Sequence, residues 1–233
     1  MKTTPIRDQV KDHLLTPKNS ALVIIDYQPP QIFTTLSMDR QTMIHNMRAL
    51  IKTAKAFELP IILSTVNSTN GRNPDTIPQL KELLQGVPAI DRTTINSWED
   101  EEFHQAVKNT KRKKLIMTAL WTDACLLFPT LDALKEGYEV FPVVDCVGAN
   151  SIEGHKAAIT RMVHSGAQPV GWNSVACELQ RDWARSATVP GFLESVKEQG
   201  AGWGWYLALE GEIAAYHNYK GGAEMRLQDN PPH

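Results

Sequence analysis

Three cysteines among 233 residues are too few, and odd in number, for a disulfide framework. Cys125, Cys146 and Cys177 include no C-x-x-C pair, so a reducing compartment is expected, with the cytoplasm as the default. No apolar run approaches the roughly 18 residues of a membrane span. The N-terminal MKTTPIRDQVKDHLLTPKNS is polar rather than of signal-peptide type. There is no charge excess either: 24 basic and 26 acidic side chains leave a formal charge of -2. That balance removes any global electrostatic reason to bind nucleic acid or an anionic membrane. The KRKK cluster at 111 to 114 has no interleaved aromatics and reads as a solvated turn. No G-x-G-x-x-G follows the first apolar run, which continues DYQPPQ, so a nucleotide-binding loop is not indicated.

What is present is a chain that is 42% hydrophobic, enough for one sizeable core. ALVIID (21 to 26), IILSTV (61 to 66), KLIMTAL (114 to 120), EVFPVVD (139 to 145) and AQPVGW (167 to 172) read as buried strands. Pro142 suggests that the fourth of these lies near a sheet edge or carries a local irregularity. Helical spacing falls between them: Met43, Met47, Leu50, Ala54 and Phe57; Leu127, Leu131 and Leu134; Ile159, Met162 and Val163. Residues 67 to 98, with several Pro and Gly, read as mostly loop.

Strands alternating with helices imply an α/β fold. The expected form is a Rossmann-like three-layer sandwich with a mainly parallel sheet and helices on both faces. The division is a lead-in (1 to 19), one domain (20 to 200) and an extension (201 to 233), whose aromatic start suggests an interface and whose end, LQDNPPH, suggests a mobile tail.

In such a sheet, ligands bind beyond the carboxyl ends of the strands where the strand order reverses. Asp26 and Asp145 each end a predicted strand, and Cys125 follows one, so all three should share that edge. Asp145 reads as a turn cap, and Cys146 and Cys177 as packing. Pro129 is tolerated only in the first turn of a helix, which starts that helix at about Cys125. A thiol there would feel the positive end of the helix dipole, favouring thiolate. Asp26 is the candidate proton acceptor.

IIDYQ (24 to 28) and LIMTALWTDACL (115 to 126) resemble the D-x-Q start and T-x-x-C turn of the isochorismatase-like cysteine hydrolases. With RTTINSWEDEEF (92 to 103) and SVACELQRDW (174 to 183), the resemblance covers roughly residues 20 to 180 and is closest to the YcaC-like branch. It implies a Cys125 nucleophile, an Asp26 base, and an oxyanion site made by the N–H groups of Trp121 and Cys125. A non-proline cis peptide is implied near Leu120 to Thr122. The family's usual lysine falls on Arg92, whose guanidinium keeps the cation and stays protonated. Gln28 is a candidate to hold Asp26 or a ligand, and Phe33 and Trp121 are candidate pocket walls.

The family's metal-dependent members use an Asp-x-His pair and a further His. IILSTVNSTNGRN holds no histidine, and His45, His104, His155, His164 and His217 do not cluster, so no metal and no cofactor is expected. The expected protein is a homo-oligomeric cysteine hydrolase cleaving a C–N bond in a small molecule. The alternative is an oligomeric scaffold or stress-associated protein that keeps the fold and turns over little.

Overall fold

The computed structural model describes residues 7–199 and 202–212. Their elements run β1 (Ser20–Ile25), α1 (Pro29–Phe33), α2 (Arg40–Ala56), β2 (Ile61–Val66), α3 (Pro78–Lys81), β3 (Ala89–Arg92), α4 (Glu101–Asn109), β4 (Lys114–Ala119), α5 (Leu127–Lys135), β5 (Glu139–Pro142), α6 (Ile152–His164), α7 (Trp172–Gln180) and α8 (Val189–Gln199). Residues 203–212 are also helical. The expected mobile tail lies outside the described residues.

The five strands are all parallel and stand in the order β3-β2-β1-β4-β5. β1 and β4 are central and buried along their whole length, which their unbroken apolar runs require. Alternate side chains of each strand serve opposite faces. Leu22, Ile24 and Ile116 join a core with Met43, Met47 and Leu50 of α2, Leu179 of α7 and Phe192 of α8. Ala21, Val23, Ile25, Leu115 and Met117 join a second core with Phe103 of α4, Ala133 of α5 and Met162 of α6. These two cores are the two seams of a three-layer α/β sandwich, as the alternation of elements predicts.

The helix ends follow local chemistry. Asp39, Asp100 and Ser151 each accept a hydrogen bond from a first-turn N–H of α2, α4 and α6, as good N-caps do. Gly137 and Gly166, at φ +83° and +104°, close α5 and α6 in the left-handed region that glycine adopts without a Cβ penalty.

Several expectations need correction. β3, AIDR, lies inside the segment expected to be loop and pairs Leu63 to Val66 of β2 with Ala89 to Arg92. Four residues of mixed burial carry too little pattern to reveal a strand whose existence depends on a partner distant in sequence. β5 stops at Pro142, and the AQPVGW segment contributes only a single bridge, Val143 to Val170. β5 is an edge strand, in keeping with its proline. Val163 is exposed, and Ala158 takes its place beside Met162. Cys146 is packed in the core, whereas Cys177 is exposed.

Lys114 is 2% exposed rather than solvated. Its Nζ donates to the His13 carbonyl at 3.0 Å and to Glu139 at 2.5 Å, anchoring the N-terminal segment beneath the sheet. Arg181 reinforces that anchor through Asp12 (2.7 Å) and the Leu15 carbonyl (3.0 Å). No helix of the described residues is long and apolar enough to cross a membrane.

Candidate active site

From β1 the chain steps to β2 and then β3 on one side, while β4 and β5 lie on the other, so the order reverses between β1 and β4. Asp26 and Cys125 leave the carboxyl ends of those two strands. Ile25 pairs with Ala119, and the Leu120 N–H donates to the Ile25 carbonyl at 3.1 Å. Asp26 itself has φ +61°, a left-handed conformation that Asp tolerates better than most residues. Its N–H donates to the Ser64 carbonyl at 3.0 Å, which ties the turn to β2.

Arg92 ends β3 and reaches across β2 to this point. Its two terminal nitrogens donate to the two Asp26 oxygens, each at 2.7 Å, in a fully buried bidentate pair. Further bonds run to Ser64 Oγ (3.2 Å) and to the carbonyls of Thr65 (3.0 Å) and Ile95 (3.3 Å). The fork of the guanidinium matches a carboxylate in a way an ammonium does not. Ser64 had no signal in the sequence to mark it. Its role follows only from the pairing of β2 beside β1.

Cys125 sits in a π-turn, Thr122–Leu126, that precedes α5. The wide turn is visible in the Leu126 N–H donating to the Trp121 carbonyl five residues back, at 3.2 Å. The proline argument placed the start of the helix at Cys125. The regular helix in fact begins at Leu127, and Pro129, its third residue, stays within the first turn. The Leu120–Trp121 peptide is cis, inside the range the family resemblance gave.

Cys125 is 8% exposed. Burial and the Asp26 carboxylate, which acts on the thiol as a charge and as a hydrogen-bond partner, push its pKa up to about 12. Arg92 and a hydrogen bond from the Trp121 N–H pull the other way without prevailing. This corrects the expectation of a resting thiolate: the helix-end dipole is outweighed by desolvation and a neighbouring negative charge. Alkylation of Cys125 by iodoacetamide is therefore expected to rise about tenfold per pH unit through pH 10 without a plateau. Peptide mass mapping checks this, and a plateau between pH 6 and 9 would reveal a thiolate already formed.

The other candidates divide. Trp121 is partly buried, its indole donates to the Gln31 carbonyl at 3.1 Å, and its backbone N–H faces the Cys125 sulfur. Gln28 does not reach Asp26. Its amide group bonds Val66 N–H (2.9 Å) and the carbonyls of Val66 (3.1 Å) and Pro74 (2.7 Å), so it fastens the loop after β2. Phe33 is 70% exposed and borders a surface groove with Arg40, Ile44 and His45. Asp145 accepts from the Trp172 N–H at 2.9 Å, a cap at the start of α7.

Two supports were not foreseen. Thr122 Oγ1 lies 2.9 Å from His155 Nδ1, and the Thr122 N–H donates to the Gly148 carbonyl at 2.9 Å. These contacts fasten the nucleophile turn to α6 and to the chain after β5. A Cβ on Gly148 would lie 2.5 Å from Thr35 Cγ2. Gly148→Ala is accordingly expected to cost about 1–3 kcal/mol and to displace the Thr122 contact, which denaturant unfolding and Cys125 labelling together would register.

The fold and this cluster define a three-layer α/β enzyme with a buried cysteine, aspartate and arginine at the switch point of a parallel sheet. A profile of the isochorismatase domain matches residues 20–174. The chain is 39% identical over 171 residues to the Escherichia coli probable hydrolase YcaC, covering 72% of this chain and 81% of that protein. YcaC from Pseudomonas aeruginosa, solved with hexane-2,5-diol and covalent acrylamide, aligns with a TM-score of 0.78 at 34% identity over 88% of this chain and 98% of that one. The Escherichia coli YcaC structure, described as an octameric hydrolase of unknown specificity, aligns with a TM-score of 0.78 at 31% identity over 93% and 100% of the two chains. The chain belongs to the isochorismatase family, as a hydrolase of its YcaC-like branch.

Proposed function

We propose that the protein hydrolyses a C–N bond of a small amide-like molecule through a Cys125 thioester. The observation that carries this reading is the buried Asp26 carboxylate, held bidentate by Arg92, leaving the sheet at the same rim as the buried Cys125 thiol. In the first step the Cys125 sulfur bonds to the substrate carbonyl carbon while its proton passes to Asp26. The site keeps its net charge, because thiol plus carboxylate becomes thiolate plus carboxylic acid beside the same guanidinium. A resting thiol with a raised pKa suits such coupled transfer, since the negative charge then moves straight onto the carbonyl oxygen.

The N–H groups of Trp121 and Cys125 are the proposed donors to that oxyanion. Collapse breaks the C–N bond, and Asp26 returns the proton to the leaving nitrogen. A water deprotonated by Asp26 then attacks the thioester, releasing the acid and restoring the thiol. Slight exposure of Cys125 limits the substrate to a small molecule. No step in this scheme calls on a metal or an organic cofactor.

Incubation with a panel of small amides and activated esters, followed by intact-mass spectrometry, tests the thioester. The expected result is an acyl adduct on Cys125 that decays with product release. Turnover without any adduct, and undiminished in Cys125→Ser, would overturn it. Acrylamide, which would add to the thiol through its alkene carbon and so reports nucleophilicity rather than acylation, is a natural first labelling probe, given its covalent presence in the Pseudomonas aeruginosa YcaC structure.

One observation favours the second reading, a scaffold with little turnover: both Asp26 oxygens already hold a hydrogen bond from Arg92. Absence of turnover across the panel would favour it. In either case we propose a homo-oligomer, by analogy with the octameric Escherichia coli YcaC and from the exposure of Trp183, Trp205, Tyr206 and Leu209. Light scattering on the purified protein reads this directly. Unpaired thiols fit a reducing, cytoplasmic location.

A further inference from the structure

The two terminal nitrogens of Arg92, its fork, are taken up by the protein's own acceptors. One terminal nitrogen donates to Asp26 Oδ1 and is shared between Ser64 Oγ and the Thr65 carbonyl. The other donates to Asp26 Oδ2 and the Ile95 carbonyl. Nε–H has no partner among the described residues and is buried, within a side chain that is 0% exposed. A guanidinium in a hydrolase pocket usually serves as a fork for a substrate carboxylate. Here the fork is closed by a carboxylate of the protein's own.

The consequence is electrostatic. Asp26 and Arg92, the charged side chains that act on Cys125, form a neutral pair in which the carboxylate acts the more strongly on the thiol, so the site offers a substrate anion no net positive charge, and burial strengthens the repulsion. A substrate carboxylate would approach a carboxylate already saturated by its cation, and then an oxyanion forming beside it. The exposed residues that follow Arg92 in this turn, Thr93 and Ile95, carry no charge.

We infer that the site at Cys125 selects an uncharged acyl or alkyl group and rejects a carboxylate. This specificity rests on the reading of Cys125 as the nucleophile, and it narrows the substrate class to neutral amides, imides or esters.

Paired alkylating reagents test it on the intact protein. Iodoacetamide and iodoacetate have the same reacting carbon and leaving iodide and differ in one charge. In both, the sulfur bonds to the methylene carbon as iodide leaves and the thiol proton passes to a base. Rates at Cys125 and at exposed Cys177 are read by peptide mass mapping at pH 9. The expected result is an iodoacetamide-to-iodoacetate ratio at Cys125 at least tenfold above that at Cys177, with acrylamide against acrylate giving the same order. Equal ratios at the two cysteines, or a preference for the anion at Cys125, would overturn the inference while leaving the nucleophile in place. Failure of all four reagents at Cys125, with Cys177 labelled, would remove the nucleophile reading and this inference with it.

Discussion

Cys125→Ala is expected to lower turnover at least about 10³-fold while leaving the protein folded. The first part follows from covalent chemistry: with no sulfur there is no thioester, and Asp26 and the oxyanion donors alone retain only residual catalysis of water attack. The second follows from what is removed. The thiol is small, and its polar contact is with a carboxylate that Arg92 already satisfies at both oxygens. Loss of one buried sulfur therefore takes a partner only from the Trp121 N–H and leaves a small cavity. Steady-state rates and thermal unfolding on the same preparation check both parts. Activity retained within tenfold of wild type would remove Cys125 from the mechanism.

Replacing Arg92 has the larger effect on stability. Arg92→Ala leaves the Asp26 carboxylate, 0% exposed, without its cation. Breaking one partner of a buried pair costs about 3–5 kcal/mol. Part of that loss can be avoided if Asp26 takes up a proton, which would also disable it as the base, so turnover falls with stability. Arg92→Lys, the residue usual in the family, keeps the charge but replaces a two-pronged contact with a point charge. An intermediate loss is expected for it. The double variant Asp26→Asn, Arg92→Met should be more stable than Arg92→Ala alone, because no uncompensated charge remains. Chemical denaturation of the double variant beside its two single variants, Asp26→Asn and Arg92→Met, measures the coupling, and a strictly additive result would mean the pair contributes nothing as a pair.

These two predictions concern residues that were legible to different degrees. Asp26 and Cys125 could be found because the apolar runs ALVIID and KLIMTAL must be buried on both faces, and whatever leaves their carboxyl ends emerges at one rim. Arg92 had no such handle and rested on family resemblance alone. It lies in β3, whose four residues form a strand only because β2 offers an open edge. Gln28 shows the converse. It stands two residues from Asp26 in the chain, yet its amide turns to the backbone of Val66 and Pro74.

By itself the sequence determined the layers, the two central strands and the rim at which the chemistry is proposed, because hydrophobic periodicity and proline placement act locally along the chain. Tertiary structure alone decided the bidentate closure of Arg92 on Asp26, the raised pKa of Cys125 and the grip of Gly148 and His155 on the nucleophile turn. Each of these depends on distance, burial and orientation between residues that lie 26 to 99 positions apart in the chain. Those quantities are set when the strands take their order in the sheet.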